Sequence, residues 1–211
     1  MRIVEVFDSL QGEGVWAGVP MTFIRLAGCN GPQLGLGCVS WCDTVGSWAA
    51  GGGRLWEQEE LLCRVRLPRV CVTGGEPLLQ ADGVADLVAA LVSRRVKVHL
   101  ETNGTLDWPR GRAAPAWVTV SPKPPLYDVA TGVAGLAAEV KVIYDAEMDA
   151  MSPTSASRLV GRIVAQAPGA AVCIQPEASG GAPLARRAAA FVVGHPEWRL
   201  SLQVHKILGI R

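Results

Sequence analysis

The chain has 211 residues with 20 basic and 19 acidic side chains, so its net charge is +1. This near-zero charge argues against a nucleic acid or an anionic membrane as a partner, because both attract proteins with a basic excess. Hydrophobic residues make up 49% of the chain, yet no apolar run approaches the ~18–20 residues of a membrane span. The first residues also lack the apolar core of a signal peptide. The sequence therefore predicts a globular, cytoplasmic protein with one domain over residues 1–211.

The predicted elements alternate between strand and helix. Short β-branched and apolar runs predict strands at residues 21–26, 70–73, 96–101, 117–120, 139–143, 172–176 and 199–203. Helical periodicity or composition predicts helices at residues 57–66, 82–95, 155–166 and 183–193. This alternation favours an α/β fold with a mostly parallel sheet. Because the chain is shorter than the ~250 residues of a closed eight-stranded barrel, we expect an incomplete, laterally open (βα)6-type barrel.

Three of the six cysteines lie in one glycine-rich segment, residues 28–42, which we call the cysteine loop. Cys29, Cys38 and Cys42 can surround a shared ligand there, and three thiolates suit either zinc or an iron–sulfur cluster. A structural zinc needs a fourth ligand, and all three histidines are distant in sequence. A 4Fe–4S cluster held by three cysteines instead leaves one iron open. The other cysteines have apolar neighbours and are predicted to be core residues: Cys63, Cys71 and Cys173.

Polar or glycine-rich segments also follow the later strands. They are Thr73-Gly-Gly-Glu-Pro, Glu101-Thr-Asn-Gly, Ser121-Pro-Lys and Gln175-Pro-Glu. Because the carboxyl ends of barrel strands build the active site, we expect these segments to meet there. Gly74 and Gly75 would let a ligand approach the backbone, and Glu76 would offer a carboxylate to an ammonium group. A tight turn would use the same residues.

Several segments together match one enzyme family. They are Ser9-Leu-Gln-Gly-Glu-Gly, Phe23-Ile-Arg-Leu-Ala-Gly-Cys-Asn, Trp41-Cys-Asp-Thr, Val72-Thr-Gly-Gly-Glu-Pro, Glu101-Thr-Asn-Gly, Val120-Ser-Pro-Lys, Gln175-Pro and Gln203-Val-His-Lys-Ile-Leu. With them the chain resembles the radical S-adenosylmethionine (SAM) enzymes, and most closely the 7-carboxy-7-deazaguanine synthases of the 7-deazapurine pathway. The chain departs from that family between Cys38 and Cys42, where three residues stand instead of the common two.

The resemblance implies a lyase that converts 6-carboxy-5,6,7,8-tetrahydropterin to 7-carboxy-7-deazaguanine, a precursor of queuosine, with loss of ammonia. It implies a 4Fe–4S cluster, SAM and Mg²⁺ as cofactors. A 5′-deoxyadenosyl radical would abstract hydrogen from substrate C6. The implied partners are the pterin, a reductant such as flavodoxin or ferredoxin, and a second copy of the chain in a homodimer.

The resemblance also implies a role for each matched residue, while the radical chemistry of the cofactor leaves no catalytic side chain to assign. The cluster would be held by Cys29, Cys38 and Cys42, and Mg²⁺ by Thr44. Contacts to SAM would come from Trp41, Asp43, Gly74, Gly75, Glu76, Ser121, Pro122, Lys123, Gln175 and Pro176. Contacts to the pterin would come from Leu10, Gln11, Gly12, Glu13, Arg25, Thr73, His205 and Arg211. Arg25 suits the pterin carboxylate as a bidentate cation.

Simpler interpretations of single residues stay open. Arg25 could pair with a nearby acid, Thr44 could cap a turn, and Lys123 could be an ordinary surface lysine. His99 is predicted to be a strand residue that bonds to a neighbour.

Two other functions also stay open. Another radical SAM enzyme, such as a glycyl-radical activase, would lack residues 10–13 together with His205 and Lys206. A zinc-binding interaction protein would use the three cysteines without any chemistry.

Overall fold

The computed structural model describes residues 1–210, which form one sheet of nine strands with helices on its outer face. The strands are β1 (Arg2–Leu10), β2 (Pro20–Leu26), β3 (Arg54–Leu55), β4 (Arg69–Gly74), β5 (Lys97–Thr102), β6 (Trp117–Val120), β7 (Glu139–Tyr144), β8 (Ala171–Pro176) and β9 (Trp198–Leu200). Their order is β3-β1-β2-β4-β5-β6-β7-β8-β9. Strand β1 is antiparallel to β2 and β3, and all pairings from β2 onward are parallel. The predicted class, an open and mostly parallel α/β sheet, is confirmed.

The α-helices connect the strands and cover the sheet. They are α1 (Gln58–Arg64), α2 (Ala81–Ser93), α3 (Thr131–Ala134), α4 (Ala146–Asp149), α5 (Pro153–Val164), α6 (Gly181–Val193) and α7 (Val204–Leu208). Every predicted strand and helix is found, with ends shifted by a few residues. Strands β1 and β3 and the short helices α3, α4 and α7 were not predicted. Within residues 1–210, no helix is both long enough and apolar enough to cross a membrane.

The parallel strands alternate between two kinds of side chain. Apolar residues on the outer face pack under the helices: Val70, Val72, Val98, Leu100, Val118, Val120, Val140, Val142, Val172 and Ile174. Polar residues take the alternate positions and face the barrel interior: Thr73, His99, Glu101, Thr119, Glu139, Lys141 and Gln175. A barrel interior that serves only as core is filled with branched apolar side chains. This polar interior therefore indicates a binding site.

The isolated cysteines only partly follow their prediction. Cys71 and Cys173 are buried in β4 and β8, as expected, but Cys63 is exposed. The prediction for Cys63 was wrong because α1 buries Leu61 and Leu62, the two residues before it, and leaves the next position to solvent.

Candidate functional site

Two adjoining cavities lie at the carboxyl ends of the parallel strands. The first, the cysteine cavity, has a volume of about 180 Å³ and is lined by the cysteine loop and the ends of β4 to β8. The second, the arginine cavity, has a volume of about 200 Å³ and contains Arg25. Both cavities are lined by Glu13, Asp43, Thr44, Thr73, Gly74, Glu101 and Gln203. A molecule in one cavity would therefore lie beside a molecule in the other.

The structure divides the predicted site residues between these cavities. The cysteine cavity is lined by most of the residues that were assigned to the cluster and to SAM: Cys29, Cys38, Trp41, Cys42, Asp43, Gly74, Gly75, Ser121, Lys123, Gln175 and Pro176. The arginine cavity is lined by most of the residues that were assigned to the pterin: Leu10, Gln11, Gly12, Glu13, Arg25, Thr73 and His205. Thr44 lines both cavities, whereas Glu76 and Pro122 line neither. Arg211 lies outside the described residues.

The cysteine loop is positioned by backbone hydrogen bonds. The Gly28 amide donates to the Ser47 carbonyl (2.8 Å), and the Cys29 amide donates to the Trp48 carbonyl (3.1 Å). The segment that contains the extra residue includes a turn of 3₁₀ helix at Gly37–Ser40. All three loop cysteines line the same cavity despite the unusual spacing.

The ligand set of this loop fits an iron–sulfur cluster. Its three thiols are free and partly exposed. All three line one cavity. Three cysteines around one cavity suit a cluster, in which each thiolate binds a different iron.

Gly74 and Gly75 are required by close packing against β2 and the cysteine loop. An added Cβ would lie 2.4 Å from the Leu26 backbone at Gly74, and 2.0 Å from the Gly28 carbonyl oxygen at Gly75. Gly74 also has a φ of 142°, which favours glycine. The same two residues line the cysteine cavity, so this close backbone contact places a bare main chain at the cavity wall.

Glu76 is fully buried next to these glycines. Its carboxylate accepts hydrogen bonds from the Leu78 amide (2.9 Å), the Thr102 hydroxyl (2.7 Å) and the Asn103 amide (2.7 Å). Burial raises the pKa of Glu76, although these donors act in the opposite direction. In this position Glu76 joins the glycine turn to the end of β5, and its contact with the SAM ammonium stays a prediction.

A charged pair lies between the cavities, and one of its members, Lys141, was not among the predicted site residues. Lys141 Nζ contacts Glu13 Oε2, and Gln203 Nε2 donates to Glu13 Oε1 at 2.7 Å. Burial alone would raise the pKa of Glu13, but Lys141 lowers it to about 2. Burial alone would lower the pKa of Lys141, but Glu13 and Glu101 raise it above its usual value. Both groups are therefore charged at neutral pH.

Glu101 lines both cavities and was predicted only as part of a strand-end segment. Its carboxylate accepts hydrogen bonds from Gln11 Nε2 and from the Thr73 hydroxyl, each at 2.9 Å. Burial alone would raise the pKa of Glu101, but Lys141 lowers it below its usual value. The ionised oxygens of Glu101 can accept N–H donors from a ligand in either cavity.

The geometry answers two of the simpler interpretations that the sequence left open, those of Arg25 and Lys123. Arg25 does pair with an acid, since its Nε donates to Glu5 Oε1 at 2.8 Å, but it also lines the arginine cavity. Lys123 is partly buried rather than on the open surface, and its Nζ donates to the Ser121 hydroxyl at 2.7 Å. Burial lowers the pKa of Lys123.

The segment around α7 covers the arginine cavity. The Val204 amide donates to the Gly12 carbonyl at 2.9 Å, and Lys206 forms an ion pair with Asp43. The imidazole of His205 lies so close to Gly12 that an added Cβ would be 1.8 Å from Nδ1. This segment therefore connects the loop after β1 to Asp43, the residue that follows the cysteine loop.

We expect His99 to make the unfolding free energy pH-dependent. The ring is buried, its Nε2 lies 2.8 Å from the Thr119 hydroxyl, and burial lowers its pKa to about 4. Between pH 6.5 and 4 the unfolded chain takes up a proton that the folded chain excludes. The unfolding free energy therefore decreases as pH falls through this window, by about 3 kcal/mol from this group. Urea unfolding of the wild type and His99→Gln at pH 7 and pH 4.5 measures it; equal pH dependence in both would contradict the assignment.

Comparison with known proteins finds relatives whose alignments cover nearly the whole chain. The 7-carboxy-7-deazaguanine synthase of Bacteroides thetaiotaomicron is 37% identical, and the match covers 100% of this chain and 98% of that protein. The synthase of Synechocystis is 34% identical over 99% of this chain and 93% of that protein. A comparison with protein-family models finds no match.

A crystal structure of QueE from Escherichia coli has the same fold. It superposes with a TM-score of 0.73 at 27% identity, over 96% of this chain and 93% of that one. The relatives and the fold agree with the three-cysteine loop and the paired cavities. The chain therefore belongs to the 7-carboxy-7-deazaguanine synthase family, whose members are radical SAM lyases of deazapurine biosynthesis.

Proposed function

We propose that the chain converts 6-carboxy-5,6,7,8-tetrahydropterin to 7-carboxy-7-deazaguanine and ammonia. The observation that carries this proposal is the pair of adjoining cavities, one with three free thiols and one with Arg25. Two relatives that align with this chain over 93% and 98% of their own length are named as this synthase. A reaction that starts on one bound molecule and continues on another needs two such neighbouring sites.

The cysteine cavity would hold the cluster on Cys29, Cys38 and Cys42, with SAM against Gly74 and Gly75. When bound, these groups would supply the 5′-deoxyadenosyl radical that abstracts hydrogen from C6 of the pterin. Lys123 brings a positive charge to the same wall. The surrounding side chains hold the bound molecules in place and exclude water from them.

The arginine cavity would hold the pterin. Arg25 offers a cation to its carboxylate, while Gln11 and Glu101 offer an amide and a carboxylate to its polar edge. The Lys141 ammonium favours the ionised forms of Glu13 and Glu101, so both can accept N–H donors. Mg²⁺ would bind at Thr44, whose hydroxyl is an oxygen ligand of the kind that Mg²⁺ prefers. Thr44 lines both cavities, which supports a metal shared by the two sites.

The remaining proposals concern the setting of the enzyme. A low-potential protein such as flavodoxin or ferredoxin would supply the electron, and residues 1–211 would form one radical SAM domain. A homodimer is supported by apolar side chains that are exposed near the chain's end, on Val193, Ile207 and Leu208. The proposed location is the cytoplasm, where the six free cysteines would stay reduced.

One assay tests the function. Anaerobically reconstituted protein should be brown, with about four irons per chain. Incubation with reductant, SAM, Mg²⁺ and the carboxypterin should release 7-carboxy-7-deazaguanine and ammonia. An intact cluster without product would contradict the proposed substrate, and a colourless protein with one tightly bound zinc would favour the interaction-protein alternative.

Gly12→Ala is expected to lower the turnover of the pterin by about 100-fold, because a small displacement of positioning groups has costs of this order. The new Cβ would collide with the ring of His205 and push α7 away from the arginine cavity. Steady-state kinetics at matched iron content measures the effect. Gly161→Ala on α5 is the control, since an added Cβ there meets nothing within 4 Å. Equal activity in the two variants would show that α7 does not position the substrate loop.

A further inference from the structure

We propose that Trp48 is a positioning residue that raises the reduction potential of the cluster through a hydrogen bond to one cysteine ligand. The indole Nε1 donates to Cys42 Sγ at 3.3 Å. The carbonyl of the same residue accepts the Cys29 amide at 3.1 Å. Through these two hydrogen bonds Trp48 contacts two of the three cysteines. It also lines the cysteine cavity. The inference rests on the proposed function, because it requires the cluster to be present.

The sulfur of Cys42 receives a different set of donors from the sulfur of Cys29. Cys29 Sγ accepts a hydrogen bond from the Gly31 backbone amide at 3.4 Å. Cys42 Sγ lies 3.3 Å from the Trp48 indole nitrogen and 3.5 Å from the Thr44 hydroxyl. Since a sulfur bound to iron carries no proton, it can only accept from these groups. At Cys42 the donors therefore belong to side chains, which substitution can remove.

The direction of the effect follows from charge. Reduction adds one electron to the cluster and its thiolates, so the sulfur becomes a stronger acceptor. A donor aimed at that sulfur stabilises the reduced form more than the oxidised form, and the potential rises. Removal of the indole N–H should therefore make the cluster harder to reduce.

The turn that carries Trp48 does not depend on its ring. The Trp48 amide donates to the Val45 carbonyl at 3.1 Å, and the Ser47 hydroxyl donates to the Thr44 carbonyl at 2.7 Å. The Gly28 amide is bound to the Ser47 carbonyl as well. Trp48→Phe keeps these backbone contacts and an aromatic ring while it removes the N–H donor.

The test is an anaerobic redox titration of the reconstituted holoenzyme, followed by electron paramagnetic resonance. Trp48→Phe should retain the iron content of the wild type and show a midpoint potential shifted to a more negative value. Trp41→Phe is the matched control, because Trp41 lines the same cavity as Trp48 but has no hydrogen bond to a thiol within residues 1–210. We expect a smaller shift for this control than for Trp48→Phe.

Three results would overturn the inference: an unchanged midpoint in Trp48→Phe, an equal shift in Trp41→Phe, or a reduced iron content in Trp48→Phe. The second would mean that the rings only shield the cluster from water, and the third that Trp48 holds the loop together. A wild-type chain that binds no iron would instead contradict the proposed function itself. Normal product formation with an unchanged midpoint would contradict the role of Trp48 alone.

Discussion

Lys141→Met is expected to lower the free energy of unfolding by about 3–5 kcal/mol, the cost of removing one partner from a buried ion pair. The side chains of Lys141 and Glu13 are only 9% and 16% exposed. Without the ammonium group, Glu13 would stay buried with neutral side-chain donors such as Gln203, and Glu101 would lose the cation that lowers its pKa. Chemical denaturation at pH 7 measures the loss.

Lys206→Met is the matched control for this prediction. Its ion pair with Asp43 is 38% and 43% exposed, and exposed pairs contribute only about 0–1 kcal/mol. The double variant Lys141→Met/Glu13→Gln should recover part of the stability, because it removes the unpaired charge. The loss should also shrink as pH falls toward about 2, because burial lets the unpaired Glu13 carboxyl take up a proton at a pH where the paired carboxyl is still ionised. If Lys141→Met were as stable as Lys206→Met, the buried pair would not support the interior.

Cys38→Ser is expected to reduce the iron content of reconstituted protein from about four irons per chain to below one. Cys38 lines the cysteine cavity with Cys29 and Cys42 in spite of the extra residue in the loop. A serine hydroxyl is a poor replacement for a thiolate that must bind iron. Iron and sulfide analysis with the visible absorption spectrum measures the result.

Cys63→Ser is the control, because Cys63 is exposed on α1 and lines neither cavity. It should keep the full iron content. Full iron in Cys38→Ser would mean that the lengthened segment has moved this ligand out of the cluster. The assignment of three loop cysteines would then fail, even though the fold is that of the family.

The parallel strands could be predicted because each is a short apolar run between turn residues, which is a local signal. Strand β1 could not be predicted in this way, because the charged side chains along it are explained only by their partners on β2. Charged residues interrupt β1, and they are satisfied across the pair, as in the Arg25–Glu5 ion pair and the Thr22–Asp8 hydrogen bond of 2.6 Å. A register irregularity between Ile3 and Glu5 also disturbs its alternation.

The functional site likewise could be predicted only where its signals are local in the sequence. Many of the residues that line the cavities could be named in advance because they stand in short motifs. Lys141 gave one local sign, a cation between Val140 and Val142 in a predicted strand. Its meaning depends on Glu13, which is 128 positions away along the chain. Glu76 shows a different case, since its motif suggested a ligand contact and gave no sign of the three protein donors that its carboxylate accepts.

The segment that covers the arginine cavity has a consequence for folding order. The Gly14 amide donates to the Ser201 hydroxyl at 2.8 Å across a separation of 187 residues, and Gln203 reaches Glu13 across 190. Contacts between such distant residues require a large loop-closure entropy, which is recovered only once the intervening strands have paired. The catalytic centre should therefore be among the last parts to form. In hydrogen exchange, the amides of Gly14 and Val204 should become protected later during refolding than those of β4 and β5.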